Sequence, residues 1–283
     1  MNSGEALRRF TQELSGVTDC PALEAQIIIQ KATGLSRPVL LSRPERELAD
    51  TELSDIREMC KRRASGFPLP YILGEWEFFG HSFFVDPSVL IPRPETELLV
   101  EEAEAWLKRH PDVRHGFDIG TGSGCIAVSL LLDHPGLQMT AVDIKRNALR
   151  TAVRNAERHR CAARFHPVEA DLFSAFRGGA ALICANLPYI PTETCQAIEP
   201  ARFEPMSALD GGEDGFDLYR LLFQQIQNKI KGESLLLCEI EYRQRETALR
   251  TAEAYFPGCR ADVLNDLAGL PRLLKISFTG RSS

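Results

Sequence analysis

No stretch of this chain is long and apolar enough to span a bilayer, and no basic segment followed by an apolar core stands at its start. Neither a membrane anchor nor a secretory leader is therefore expected. Metal-binding signatures are missing as well. The six histidines form no H-E-x-x-H or Cys/His cluster, and none of the eight cysteines makes a C-x-x-C pair. Several of those cysteines sit inside apolar runs, as buried thiols do, which fits a reduced, cytoplasmic protein without a metal site. Positive charge is in deficit: Lys plus Arg total 33 against 39 Asp plus Glu, a net charge of −6. That balance argues against a protein held mainly by nucleic-acid phosphates, although a local basic patch can hide in a net sum. There are no repeats and no low-complexity linker. What is left, 44% hydrophobic and 25% charged over 283 residues, is ordinary globular composition, long enough for one large α/β domain and a small one.

The chain is organised around Asp118-Ile119-Gly120-Thr121-Gly122-Ser123-Gly124. Phe117 and Ile119 end an apolar strand, three alternating glycines make a turn, and residues 125–132 continue as an apolar helix. Glycine removes the Cβ that would keep a ligand from the backbone, and a helix N-terminus offers N–H groups. The next strand, 137–142, ends in Asp143, nineteen residues beyond Gly124. That spacing suits a carboxylate taking the two ribose hydroxyls of a nucleoside. Asp118 is expected at the mouth of the pocket, where a carboxylate repels a dinucleotide pyrophosphate but favours a cofactor carrying a sulfonium and an ammonium. The alternative is that it caps the glycine turn. S-adenosylmethionine is favoured over a nicotinamide dinucleotide.

Residues 1–72 read as a small helical-bundle domain. Leu7, Phe10 and Leu14 make one apolar stripe, Asp19 is placed to cap a helix running to Gly34, and another helix covers 53–64 before Ser65-Gly66. Residues 73–90 form a linker containing an aromatic β-hairpin that turns at Gly80-His81. The run 89–97 holds two prolines one residue apart, extended by their steric demands, and opens a helix over 98–106. It is either a rigid helix entry or the lip of the cofactor pocket, with Arg93, Thr96 and Glu97 facing it. Residues 91–283 make the α/β domain. A helix over 147–158 and a short strand near 164–168 lead to Asp171 and Leu172, which flank an adenine if the sheet is doubly wound. An unbroken apolar strand over 180–185 ends in Asn186-Leu187-Pro188-Tyr189. Beyond it lie an amphipathic helix over 216–230, a buried strand over 234–240, a helix over 243–254, a last strand over 273–278 and a frayed tail at Arg281-Ser282-Ser283.

Asn-Leu-Pro-Tyr at a strand end has a chemical reading. The lone pair of an amide or adenine amino group is delocalised and barely nucleophilic. Two acceptors aimed at its two N–H bonds draw the nitrogen towards a tetrahedral shape and free that pair. The Asn186 side-chain oxygen and the Leu187 backbone carbonyl supply such acceptors, Pro188 fixes the turn, and Tyr189 offers a flat face for stacking.

The glycine loop, Asp143, Asn186 to Tyr189, the Leu-Ile-Pro-Arg-Pro-Glu-Thr-Glu run at 90–97, and the Leu-Asp-Gly-Gly-Glu-Asp-Gly run at 209–215 together resemble the PrmC/HemK family. The resemblance extends to residues 70–74 and 266–269 and so spans nearly the whole chain. It implies a seven-stranded Rossmann-like class I methyltransferase domain behind a helical domain. It further implies S-adenosylmethionine-dependent N5-glutamine methylation of class 1 peptide chain release factors; separately, a monomer without direct nucleic-acid contact is expected. On that resemblance Gly120 to Gly124 (with Thr121, Gly122 and Ser123), Asp143, Leu172 and Asn186 line the cofactor, and the residue reading adds Asp118 and Asp171. On the resemblance Asn186, Leu187, Pro188 and Tyr189 hold the glutamine of the Gly-Gly-Gln loop and the helical domain docks the release factor; Arg93 and Thr96 are further expected substrate contacts. The family usually has Asn-Pro-Pro-Tyr, and Leu187 departs from it. Asn-Leu-Pro-Tyr also occurs in ribosomal RNA adenine N6-dimethyltransferases, so an RNA adenine methyltransferase and a non-catalytic holder of cofactor and release factor stay open as alternatives.

Overall fold

A computed structural model describes residues 1–195, 197, 199–230 and 232–279. The tail 281–283 lies outside the described residues. The chain divides into two units, Met1–Glu75 and Trp76 onward.

The first unit is helical: α1 (Ser3–Leu14), α2 (Pro21–Thr33), α3 (Arg37–Ser42), α4 (Asp50–Ala64) and α5 (Leu69–Leu73). Asn2 and Glu5 close a reciprocal capping box on α1. Ala6, Phe10 and Leu14, each four residues from the next, are fully buried with Ile28, Ile29 and Ile56. Each large member contributes about 1.5–3 kcal/mol by leaving water. Asp19 does not cap α2: Cys20 takes that position without a side-chain bond, and Pro21, needing no N–H partner, starts the helix. Gly34 ends it at φ 68°.

The second unit opens with the hairpin β1 (Glu75–Phe78) and β2 (His81–Phe84). Its turn lies at Phe79-Gly80, one residue earlier than expected, with φ of 51° and 72°. Two successive positive φ angles are what a two-residue hairpin turn needs, and they leave His81 inside the strand. Then follow α6 (Glu97–Arg109), β3 (His115–Ile119), α7 (Cys125–Asp133), β4 (Gln138–Asp143), α8 (Arg146–Arg158), β5 (Phe165–Glu169), β6 (Leu182–Ala185), α9 (Thr192–Cys195), α10 (Asp217–Ile226), β7 (Ser234–Glu239), α11 (Arg245–Tyr255), β8 (Arg260–Asn265) and β9 (Pro271–Phe278).

The seven strands run in the order β5-β4-β3-β6-β7-β9-β8, parallel through β7, with β9 antiparallel to both its neighbours. Both faces are covered, which is why β6 and β7 are apolar at consecutive positions. Leu182, Cys184, Leu235 and Leu237 pack towards α6 and α7, whereas Ile183, Ala185, Leu236 and Cys238 pack towards α10 and α11. β8 is the strand whose position the sequence reading did not locate. It is an edge strand with Val263 as its one buried residue, so neither alternation nor a continuous apolar run marks it. From β3 the chain winds outwards through β4 and β5, then returns to the other side of β3 as β6. Ligands settle at such reversals, beyond the carboxyl ends of the strands.

Candidate active site

The β3–β6 register sets the glycine loop beside the Asn-Leu-Pro-Tyr turn. Ile119 and Ala185 are paired, so Gly120 and Asn186 leave adjacent strands side by side. A cavity of about 350 Å³ opens there.

Gly120, Gly122 and Gly124 have φ of 74°, 53° and 80°. A side chain costs about 1–2 kcal/mol in that region. Space decides two of them further: a Cβ on Gly120 would stand 2.9 Å from Leu187 Cδ2, and one on Gly124 3.0 Å from Ala152 Cβ on α8. Gly120, Thr121, Gly122 and Ser123 line the cavity, but Gly124 does not. It is the N-cap of α7, held against α8.

Asp118 is likewise not at the mouth. It is fully buried under the loop, where its Oδ2 accepts the Thr121 hydroxyl at 2.7 Å and the Ala127 N–H at 3.2 Å. The carboxylate is drawn inwards because the first turn of α7 has N–H groups without helical partners. Burial, opposed in part by those two bonds, pushes its pKa up to about 6. Its other oxygen, Oδ1, is buried with no hydrogen-bond partner. Asp143 lines the cavity, with Oδ2 accepting Gly122 N–H at 3.0 Å and Oδ1 accepting Lys145 N–H at 2.8 Å. Each oxygen keeps a second lone pair for a hydroxyl. Asp171 and Leu172 line the wall beyond, Leu172 in a left-handed conformation at φ 51°. Ile144, an apolar side chain 58% exposed at the end of β4, faces the same space.

The Asn186 amide is oriented by a chain of polar groups. Its Nδ2 donates to Thr96 Oγ1 at 3.0 Å. Thr96 is buried beside Glu239, and its hydroxyl lowers the pKa of that carboxyl against the larger, raising effect of burial. Glu239 Oε2 has no hydrogen-bond partner among the described residues. Glu239 Oε1 accepts the Tyr189 hydroxyl at 3.1 Å. With Asn186 Nδ2 donating to it, the Thr96 oxygen keeps its own proton for a neighbouring acceptor, and Glu239 stands beside it. Asn186 therefore holds its NH₂ towards Thr96 and turns Oδ1 away. This orientation follows from the proton inventory.

Asn186, Leu187 and Pro188 line the cavity, whereas Tyr189 does not. Its expected role as a stacking face is corrected: a buried phenol needs an acceptor, and Glu239 ties it away from the cavity. The turn rests on the 209–217 segment. A Cβ at Gly211 would come within 2.6 Å of the Pro188 carbonyl, and one at Gly215 within 2.1 Å of the Tyr189 carbonyl. Gln244 donates to that Tyr189 carbonyl at 2.9 Å and to Gly215 O at 3.1 Å. Arg93 lines the cavity and pairs with the buried Glu204 at 2.5 Å. Glu97 is not at the lip: its Oε1 accepts Phe79 N–H at 2.9 Å and secures the hairpin.

Sequence reasoning missed Ile144, Glu204, Tyr219, Glu239 and Gln244. Glu239 alone left a signal, as the one carboxylate closing an otherwise apolar strand. The partnerless Asp118 Oδ1, the spare lone pairs of Asp143, the apolar Ile144 and Leu172, and the cradle that Cβ atoms would fill suit a nucleoside bearing positive charge. S-adenosylmethionine meets that description. Among the described residues no group of three or more His, Cys, Asp and Glu side chains is placed to hold a metal ion. No helix among them is long and apolar enough to cross a membrane.

Comparison with known proteins adds a family pattern. A model of the PrmC N-terminal domain matches residues 5–74, and one of the methyltransferase small domain matches residues 94–198. A release factor glutamine methyltransferase of Moorella thermoacetica is 39% identical over 274 residues, 95% of this chain and 94% of that one. One of Geobacter sulfurreducens is 42% identical over 230 residues, 80% of this chain and 79% of its own. Among solved structures, the hMettl16 catalytic domain in complex with the MAT2A 3′UTR hairpin 6 is similar in fold, with a TM-score of 0.57 at 16% identity over 72% of this chain and 78% of that chain.

Proposed function

The chain belongs to the release factor glutamine methyltransferase family, and we propose that it transfers a methyl group from S-adenosylmethionine to the side-chain amide nitrogen of the glutamine in the Gly-Gly-Gln motif of class 1 peptide chain release factors. The observation that carries this reading is that Asn186 and Leu187 line the cavity together, with the Asn186 NH₂ tied to Thr96. Among the described residues no donor is bonded to the Asn186 side-chain oxygen or to the Leu187 carbonyl.

The donor supplies a methyl group on positively charged sulfur, which leaves as a neutral thioether and needs no acid. Asn186 Oδ1 and the Leu187 carbonyl accept the two N–H bonds of the glutamine amide. Held in this way, the nitrogen loses conjugation with its carbonyl and regains a lone pair directed at the methyl carbon. The new N–C bond forms as the C–S bond breaks, and the extra proton on nitrogen leaves to solvent afterwards. No strong base is needed, and none lines the turn. Positioning supplies on the order of 7–11 kcal/mol at best. Asp143 takes the ribose, Leu172 and Ile144 enclose the base, and buried Asp118 lends negative charge below the cationic end. The helical unit docks the release factor, and the work is done in the cytoplasm, where release factors act.

Intact-mass measurement of a release factor after incubation with this protein and donor tests the reading. One added methyl group on the Gly-Gly-Gln glutamine is expected. Asn186→Ala should slow it by about 10²–10³-fold, the loss seen when one preorganised polar contact is removed from a transition state. Label from the donor entering only ribosomal RNA offered in the same tube favours adenine, and equal background rates for wild type and Asn186→Ala favour a non-catalytic holder.

A further inference from the structure

Leu187 stands where the family carries proline, and a proline would bring no N–H to this place. The Leu187 N–H is buried with a residue only 3% exposed, so it must find an acceptor. It finds the hydroxyl of Tyr219, at 3.1 Å. Tyr219 is fully buried in the first turn of α10, and its ring packs on Phe216. The hydroxyl has one proton and two lone pairs. The proton goes to the Glu239 carbonyl, with the Ala185 carbonyl at 3.3 Å as a second acceptor. One oxygen thus joins the ends of β6 and β7 to the first peptide of the turn.

The consequence is directional. The Leu187 N–H belongs to the 186–187 peptide, so fixing it fixes the plane from which both the Asn186 side chain and the Leu187 carbonyl are hung. At the far end Gln244 holds the Tyr189 carbonyl. Between these two anchors Pro188 has a fixed φ. The Leu187 carbonyl therefore has little freedom.

Resting on the glutamine methylation reading, we propose that the Tyr219 hydroxyl is a positioning group for the acceptor turn, doing by a hydrogen bond to the Leu187 N–H what ring stiffness does when residue 187 is proline. It touches neither substrate nor donor. Its effect falls on the geometry of the two oxygens, so it is read in turnover and not in donor binding.

The test is a double-mutant cycle of Tyr219→Phe and Leu187→Pro, with intact-mass kinetics on a release factor and exchange of the Leu187 amide proton. Tyr219→Phe should lower kcat about 10–10²-fold, the scale of a slight misplacement of reacting groups. KM for S-adenosylmethionine should stay within about twofold, because the adenosine end of the cavity makes no use of this bond. The Leu187 amide, protected in wild type, should exchange freely in Tyr219→Phe. In Leu187→Pro there is no N–H to serve, so adding Tyr219→Phe should cost little more. Multiplying losses, or a Tyr219→Phe enzyme with wild-type kcat, would overturn the proposal. If Leu187→Pro does not fold, unchanged protection of the Leu187 amide in Tyr219→Phe overturns it by itself. A wild type that leaves the release factor unmethylated defeats the functional reading instead, a result told apart by its not depending on residue 219.

Discussion

Replacing Glu239 by glutamine changes almost no volume, yet it should disable the enzyme through an atom it does not touch. In the native site the carboxylate accepts from Tyr189 and stands beside Thr96, whose oxygen takes the Asn186 N–H. A glutamine at 239 has two choices. With its oxygen kept on the Tyr189 hydroxyl, its NH₂ points at Thr96, whose proton is released to the Asn186 oxygen. Asn186 then flips and offers N–H groups to the N–H groups of the substrate. The opposite rotamer keeps Asn186 correct but leaves the buried Tyr189 hydroxyl without an acceptor, at about 1–3 kcal/mol. The disabling arrangement therefore dominates by roughly 5–150-fold. The ceiling on the loss is the value of the Asn186 acceptor, about 3–4 kcal/mol. Together these bounds place the fall in kcat at about 10–10²-fold.

Single-turnover methylation of a release factor, followed by intact mass, reads the effect. KM for the donor should move little, and Thr96→Ser, which keeps the hydroxyl, should retain activity. Lowering the pH should imitate the substitution, because a protonated Glu239 donates where it formerly accepted. Burial raises the Glu239 pKa, so this loss begins at a higher pH than for an ordinary carboxylate. A Glu239→Gln enzyme turning over at the wild-type rate would refute the proton inventory.

Asp118→Asn should abolish a pH dependence in the stability of the donor-free protein. Burial lifts the folded pKa to about 6, above the unfolded value near 3.8. Ionisation therefore favours the unfolded chain as pH rises between those values, by up to about 3 kcal/mol, and urea titrations at acid and neutral pH check it. The same variant should bind S-adenosylmethionine more weakly by calorimetry, having lost the charge. Gly124→Ala adds strain at φ 80° to crowding at 3.0 Å against Ala152 and should cost about 2–4 kcal/mol of stability by thermal melting. Gly122→Ala meets nothing closer than the Gly120 carbonyl at 4.0 Å, so its stability loss should stop at about 1–2 kcal/mol while its Cβ, entering the cavity, weakens donor affinity. Gln244→Leu strips the Tyr189 and Gly215 carbonyls of their donor and should cost about 2–3 kcal/mol in urea, with kcat falling alongside.

What the sequence made legible, and what it hid, divides by whether a residue must touch the ligand through its backbone or act through another residue. Gly120 and Gly122 take positive φ along the cavity wall, so the alternating pattern was readable, as was a strand-ending Asp143. Asn186 was readable as a cavity residue because it ends the strand beside the glycine loop, and on the proposed reading an amide nitrogen calls for a paired acceptor there. The errors share one cause. Asp118 and Tyr189 were assigned outward roles from their chemical type, but both were drawn inwards by partners contributed from elsewhere: Thr121 and the α7 N-terminus for one, Glu239 for the other. A polar side chain goes where its strongest unsatisfied partner lies, and which partner arrives is decided by strand order. The β6–β7 adjacency brings Glu239, and the elements packed on the sheet bring Thr96 and Tyr219, to a turn that none of them neighbours in the chain. No local pattern encodes that meeting, since Glu239 and Tyr219 present themselves as the last residue of an apolar strand and one more aromatic on an amphipathic helix. The chemistry of this site is therefore written in the motif, while its aim is written in the topology. Substitutions at Glu239 or Tyr219 should for that reason lower turnover while leaving donor affinity intact, and substitutions at Gly122 should do the reverse.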